Sequence, residues 1–200
     1  MSAAGDLLPD GVRLRPLQPH ADERGVFTEL FRDEWRAGVA PVQWNAVSSR
    51  AGVLRGVHVH PRHSDYLTLV SGRATVGLRD LRRASPTAGR CALVAMEGGA
   101  PAALTIPNGV AHGFLFHEPS LHVYAVSHAW DPADELGCRW DDPDLGLAWP
   151  FAPALVSARD LALPPLATLL ARLHPPDREE AVAPAARAGA PSRPPAVPRR

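Results

Sequence analysis

The chain has 200 residues, 46% of them hydrophobic and 21% charged, and its 21 basic and 21 acidic side chains cancel to a formal charge of zero. That balance suits one globular domain with or without a tail. It excludes wholesale disorder and a strongly basic surface for nucleic acid or anionic membrane. Every basic residue is an arginine, so Schiff-base, P-loop-lysine and lysine general-acid chemistry are excluded as well.

From the N-terminus, Met1 to Asp6 has neither the basic nor the apolar region of a leader peptide. A series of short segments rich in β-formers follows: 53–60, 66–70, 74–78, 91–95 and 122–126. Turns such as Ser71-Gly72, Ser85-Pro86 and Pro107-Asn108-Gly109 separate them. Short strands at this spacing predict an all-β sandwich or barrel rather than a βαβ sheet. The longest uncharged run, Gly98 to Phe116, is broken by Pro101, Pro107 and four glycines, so it predicts no spanning helix. The expected setting is cytoplasmic, with no membrane or nucleic-acid partner. Cys91 and Cys138 form no CxxC pair and no disulfide framework.

Leucines at 161, 163, 166, 169, 170 and 173 predict a short C-terminal helix between Pro164-Pro165 and Pro175-Pro176. Beyond it, proline and alanine supply 14 of the 26 residues from Pro175 to Arg200. Such a segment buries too little apolar surface to offset its chain entropy and is expected to be disordered. The expected organisation is one domain over 1–174 and a Pro/Ala-rich tail over 175–200.

Histidines carry the first chemical signal. Nine occur in the chain, three of them within His58-Val59-His60-Pro61-Arg62-His63. On a strand His58 and His60 share a face. Asp65, Gly72 and the later Pro107-Asn108-Gly109-Val110-Ala111-His112 follow. This order resembles the cupin pattern, in which histidines and an acid converge inside a small β-barrel. It implies a candidate metal set of His58, His60, Asp65 and His112, for which imidazole and carboxylate donors suit Mn, Fe, Ni or Zn. The competing reading is a barrel scaffold whose histidines bind nothing.

Over a longer span, from about Asp22 to about Leu170, the chain resembles the dTDP-4-dehydrorhamnose 3,5-epimerases. The resemblance rests on an ordered set of motifs: Asp22-Glu23-Arg24-Gly25-Val26-Phe27-Thr28-Glu29, Gln43-Trp44-Asn45, Arg55-Gly56-Val57-His58, Asp80-Leu81-Arg82 with Ser85-Pro86-Thr87, Ile106 to Phe114, Tyr124, Trp140-Asp141-Asp142-Pro143, Trp149-Pro150 and Ser157-Ala158-Arg159-Asp160. It implies a cupin-type jelly-roll β-sandwich and a homodimer. It also implies an isomerase of deoxysugar biosynthesis that inverts C3, C5 or both of a dTDP-linked 4-keto-6-deoxyhexose without a cofactor. By that resemblance His58 is the base, Asp160 its orienting partner and Tyr124 the proton donor. Arg24, Phe27, Glu29, Gln43, Asn45, Arg55, His112, Trp130, Glu135 and Arg159 are substrate contacts, with those of the 24–29 segment crossing the dimer interface. Strict alternation sets Arg55 and His58 on opposite faces, so both can reach one ligand only if the strand bulges at Gly56.

Departures from the family concentrate near the base. The family's lysine seven residues before Gly72 is replaced by Asp65, and the residue two after His58 is His60 rather than an amide. A family tyrosine is replaced by Trp130. Two accounts follow. In one, His60, His63 or an arginine supplies positive charge while Asp65 turns away or pairs with Arg62. In the other, His58, His60, Asp65 and His112 hold a metal that acts as the Lewis acid. A non-catalytic binder of the same sugar nucleotide is the third alternative.

Overall fold

The structure, a computed structural model, describes residues 8–175. The tail from 176 onward therefore lies outside the described residues, as does the expectation of disorder placed on it. Thirteen strands appear in chain order. They are β1 Arg13–Pro16, β2 Pro19–Asp22, β3 Gly25–Thr28, β4 Gln43–Ser49, β5 Val53–Val59, β6 Asp65–Ser71 and β7 Arg73–Asp80, followed by β8 Cys91–Glu97, β9 Ala102–Ile106, β10 Val110–Phe116, β11 Ser120–Val126, β12 Leu136–Gly137 and β13 Leu155–Val156. Two helices, α1 Ala158–Leu161 and α2 Leu166–Leu173, close the described chain.

Two sheets face each other, one ordered β1-β9-β6-β11-β4 and the other β12-β5-β10-β7-β8, with β13 added in parallel to β5. All other pairings are antiparallel, and β2 and β3 form a separate hairpin. This is the expected all-β sandwich with a short C-terminal helical segment. The uncharged 98–116 run becomes β9 and β10, and among the described residues no helix is long and apolar enough to cross a membrane.

The core between the sheets combines Leu67 and Leu69 of β6, Val76 and Leu78 of β7, Leu104 and Ile106 of β9 and Phe116 of β10. Alternation sets their direction, because the period of two sends every second side chain inward. The outer face of the β5 sheet is covered by the C-terminal segment, where Val57, Val59 and Ala111 pack on Leu145, Leu166 and Leu169. β4 is an edge strand that alternates regularly: Gln43, Asn45, Val47 and Ser49 turn inward and Trp44, Ala46 and Ser48 outward. This lean places Asn45 on the inner wall.

One family motif proves structural. Asp80, at the end of β7 and almost fully buried, accepts hydrogen bonds from Ser85 Oγ and Thr87 Oγ1, each at 2.6 Å, and from Arg82 at 2.8 Å. Burial alone would raise the pKa of this carboxyl, but these donors outweigh it and hold the group ionised. The Asp80-to-Thr87 stretch is thus a turn organised around one buried carboxylate.

Candidate active site

Between the inner faces of the two sheets lies a cavity of about 540 Å³. One wall carries Asn45 of β4, Asp65 and Leu67 of β6, and His122 and Tyr124 of β11. The opposite wall carries Arg55 and His58 of β5 and His112 and Phe114 of β10. Trp130, Glu135, Ser157, Arg159 and Asp160 contribute to the same lining. His58 and Tyr124 therefore approach one hollow from opposite sheets.

β5 bulges where the sequence requires it. His112 of β10 pairs with His58, while Phe114, two residues on, pairs with Arg55, three residues back. The extra residue lets Arg55 and His58 line the same cavity. Gly56 has φ +106°, and an added Cβ there would sit 2.8 Å from the His112 carbonyl oxygen. Both features select glycine.

His58 Nε2 lies 2.7 Å from Asp160 Oδ1, and the other carboxylate oxygen accepts from the Gly56 backbone N–H at 3.3 Å. Ser157 caps α1 by accepting the Asp160 N–H at 3.1 Å, which leaves the Asp160 carboxylate free to turn toward β5. Burial pushes the Asp160 pKa up, but the hydrogen bond and charge of His58 and the donors from Gly56 and Ser157 outweigh it and hold the group below its ordinary value. A carboxylate on Nε2 makes that nitrogen the N–H donor and leaves the Nδ1 lone pair as the basic site. The Tyr124 phenol has its pKa raised by burial and then by the charges of Asp65 and Glu135, so it stays protonated near neutral pH.

The other expected contacts divide in two. Asn45, Arg55, His112, Trp130, Glu135 and Arg159 line the cavity. Arg55 donates to Ser49 Oγ at 2.9 Å, and Arg159 pairs with Glu135 at 3.2 Å. Gln43 stands just behind, donating to Asn45 at 3.0 Å and accepting from the Trp130 N–H at 3.0 Å. Arg24, Phe27 and Glu29 do not reach the cavity of their own chain. Arg24 pairs with Asp22, and Glu29 with Arg32. Phe27 is 65% exposed on the projecting β2–β3 hairpin.

Asp65 is neither turned away nor paired with Arg62. Arg62 binds Asp131 and Asp134 instead, and Asp65 faces inward among His60, His63 and His112. Burial, then the charges of Glu135 and Asp134, pushes the Asp65 carboxyl well above its usual range. Burial drives His60 down to about 2 and His112 down to about 3, with neighbouring histidine charges adding to the effect. His58 stands apart from the candidate metal-ligand groups, which join His60 and Asp65 to His112, and His60 and His63 to Asp134.

Sequence reasoning missed two members of the site. Asp134 holds His63 at 2.8 Å, an encounter across 71 residues with no local signal. His122 stacks at 5.5 Å on both Phe114 and Phe116 and at 5.9 Å on Tyr124, with no hydrogen-bond partner for its buried Nδ1. Alternation with Tyr124 along β11 was the available clue. Burial, then the charge of Arg55, pushes the His122 pKa down to about 4. Between pH 4 and the unfolded value near 6.5 the unfolded chain therefore holds one proton more, and folding stability falls as pH falls through that window. The expected outcome is that the wild type loses about 1.4 kcal/mol per pH unit more than a His122→Phe variant there, measured by urea unfolding. Parallel slopes would contradict the assignment.

Residues 8–168 match the family model for dTDP-4-dehydrorhamnose 3,5-epimerase. The chain belongs to this family. It is 34% identical over 186 residues to a dTDP-4-dehydrorhamnose 3,5-epimerase of Streptomyces griseus, covering 86% of this chain and 91% of that one. It is 35% identical over 144 residues to the spore coat polysaccharide biosynthesis protein SpsL of Bacillus subtilis (strain 168), covering 70% and 95%. Among solved structures, ChmJ, a 3'-monoepimerase from Streptomyces bikiniensis in complex with dTDP-quinovose, superposes with a TM-score of 0.74 at 33% identity, covering 80% of this chain and 86% of that one. The chain is accordingly an isomerase, an epimerase of dTDP-4-keto-6-deoxyhexoses in deoxysugar biosynthesis, and its sandwich is of the cupin type.

Proposed function

We propose that the chain inverts C3, C5 or both of its keto-sugar by proton transfer between His58 and Tyr124. A C–H bond beside the C4 ketone is acidic because the electron pair it leaves is delocalised onto the carbonyl oxygen. His58 Nδ1 takes that proton, the pair moves into an enolate, and Asp160 stabilises the imidazolium formed. The Tyr124 hydroxyl then gives its proton to the same carbon from the opposite face, and the carbonyl reforms. The observation that supports this reading is that His58 and Tyr124 line one cavity from opposite sheets.

Arg55, on the wall with His58, suits the diphosphate as a cationic fork. Asn45, Trp130, Glu135, Arg159 and His112 are proposed to hold the sugar, with Gln43 positioning Asn45 and Trp130. No lysine meets the enolate oxygen.

The hairpin contacts call for a second copy of the chain. Val26 and Phe27 are 68% and 65% exposed on β3, an apolar tip suited to entering a partner. In the proposed homodimer Arg24, Phe27 and Glu29 complete the partner's cavity around the nucleotide. Sedimentation at twice the chain mass is expected, and Phe27→Asp with Val26→Asp is expected to reduce it to the monomer. A monomeric wild type would overturn this arrangement.

The direct test is incubation with dTDP-4-keto-6-deoxyglucose in D2O, read by NMR. Deuterium at C3 or C5 is the expected result; the position labelled tells which centre is deprotonated, and the ring-proton couplings of the product tell whether it is inverted. Tight binding with no exchange would make the chain a binder rather than a catalyst.

A further inference from the structure

A second group of ionisable side chains lies beside the His58–Asp160 pair and is not used in that proton transfer. His60 and His63 follow β5, Asp65 opens β6 and His112 lies on β10. Their exposures are 6%, 2%, 5% and 4%. Each histidine is anchored through Nδ1 to an oxygen. His60 Nδ1 is 3.4 Å from the Asp134 carbonyl and 3.3 Å from Glu135 Oε1. His63 Nδ1 is 2.8 Å from Asp134 Oδ2, and His112 Nδ1 is 3.2 Å from the Val110 carbonyl. Anchoring Nδ1 in this way makes it the donor and leaves Nε2 with a free lone pair, the arrangement in which imidazoles are held for metal binding.

The three Nε2 atoms converge on one carboxylate. Those of His60 and His112 lie 4.0 and 3.9 Å from Asp65 Oδ2, and that of His63 lies 3.8 Å from Oδ1. These separations are too long for hydrogen bonds, and among the described residues no hydrogen bond reaches either oxygen. A carboxylate buried in this manner is ordinarily paired, hydrogen-bonded or bound to a metal. An ion about 2.0–2.2 Å from its nitrogen and oxygen ligands holds them roughly 3–4 Å apart. The two nitrogen-to-oxygen distances to Asp65, 4.0 and 3.9 Å, stand at the upper end of that range, and the ligand atoms of His60, Asp65 and His112 all lie within 4.8 Å of one another, so a small inward shift of the side chains closes them on an ion.

We infer that His60 Nε2, His112 Nε2 and Asp65 Oδ2 form a binding site for a divalent first-row transition metal, with His63 facing the remaining carboxylate oxygen. Donors of nitrogen and oxygen without thiolate suit Mn, Fe, Co, Ni or Zn. His58 stands outside the set, because the ligand atoms that gather within 4.8 Å of one another are those of His60, Asp65 and His112, while its Nε2 faces Asp160. The site thus differs from the four-residue set that the HxH spacing suggests, and it leaves the base free. The cluster lines the same cavity, so an ion there keeps coordination positions open to it.

The inference does not rest on the epimerase reading, and metal binding is measured apart from solvent exchange. The full chain, stripped with a chelator, is titrated with Co2+ alone while its visible d–d absorption is followed. One equivalent per chain should saturate the bands, and Zn2+ should displace them. Asp65→Asn and His60→Gln should each weaken Co2+ binding at least about tenfold, with circular dichroism matching the metal-free wild type. Should either variant fail to fold, His112→Asn supplies the same comparison. His58→Asn should leave affinity and spectrum unchanged. Absence of a saturable band, a band that survives the ligand substitutions, or its loss in His58→Asn would overturn the site.

Discussion

His58→Asn is expected to slow deuterium incorporation from D2O into the keto-sugar by about a thousandfold. Asparagine keeps a polar side chain of similar reach but cannot accept the proton. The enolate would then form only through water, because the remaining imidazoles of the cavity, those of His60, His63 and His112, turn their Nε2 atoms toward Asp65. Asp160→Asn gives the internal check, since an amide can donate to the ring and stabilise the wrong tautomer. It should lose most of the same activity with circular dichroism unchanged. A His58→Asn variant that exchanges at the wild-type rate would remove His58 from the mechanism.

Tyr124→Phe is expected to separate two events that the wild type couples. Removing the hydroxyl leaves base, carboxylate and cavity in place, so C–H exchange continues as His58 returns a solvent-derived proton to the face it came from. Inversion should fall by at least about a hundredfold, because no donor remains on the opposite wall. Deuterium would then accumulate in unepimerised substrate. Full inversion in this variant would show that another group, or a water, delivers the second proton. Equal loss of exchange and inversion would instead place Tyr124 in the first step.

Much of this site was legible in the sequence because its parts sit on regular strands. The runs at 53–60, 66–70, 74–78, 91–95 and 122–126 have enough β-branched and apolar residues to declare themselves, and each became a strand within a residue or two of its expected ends. The need for a bulge at Gly56 followed from strict alternation between Arg55 and His58, and the shifted register against β10 supplies it. Other elements left no local trace. β1 and β2 are four-residue edge strands, exposed throughout and containing Pro16 or Pro19, so neither alternation nor propensity marks them. β10 follows the Pro107-Asn108-Gly109 turn and was not among the expected strands, yet it is one, with β5 and β7 paired to it on both sides.

Side-chain direction was the least legible feature. Of the two accounts of the aspartate that replaces the family lysine, one turned it away or paired it with Arg62. Register decides otherwise. Asp65 pairs with Val126 on one side and Ile106 on the other, and this sends its carboxyl into the cavity. Arg62, in the loop before β6, is drawn to Asp131 and Asp134, which a short 3-10 turn presents to it. The family motifs thus pointed to His58, Asp160 and Tyr124, which line one cavity. The cluster around Asp65 emerged only from distances between residues far apart in the chain.

The most direct test of the central claim is a crystal structure of the chain with a dTDP-linked 6-deoxysugar bound. The account predicts the hexose ring between His58 and Tyr124, with His58 Nδ1 facing the C3 or C5 hydrogen on one side and the phenol oxygen on the other. A sugar seated elsewhere, or one with both groups on the same face of its ring, would contradict it.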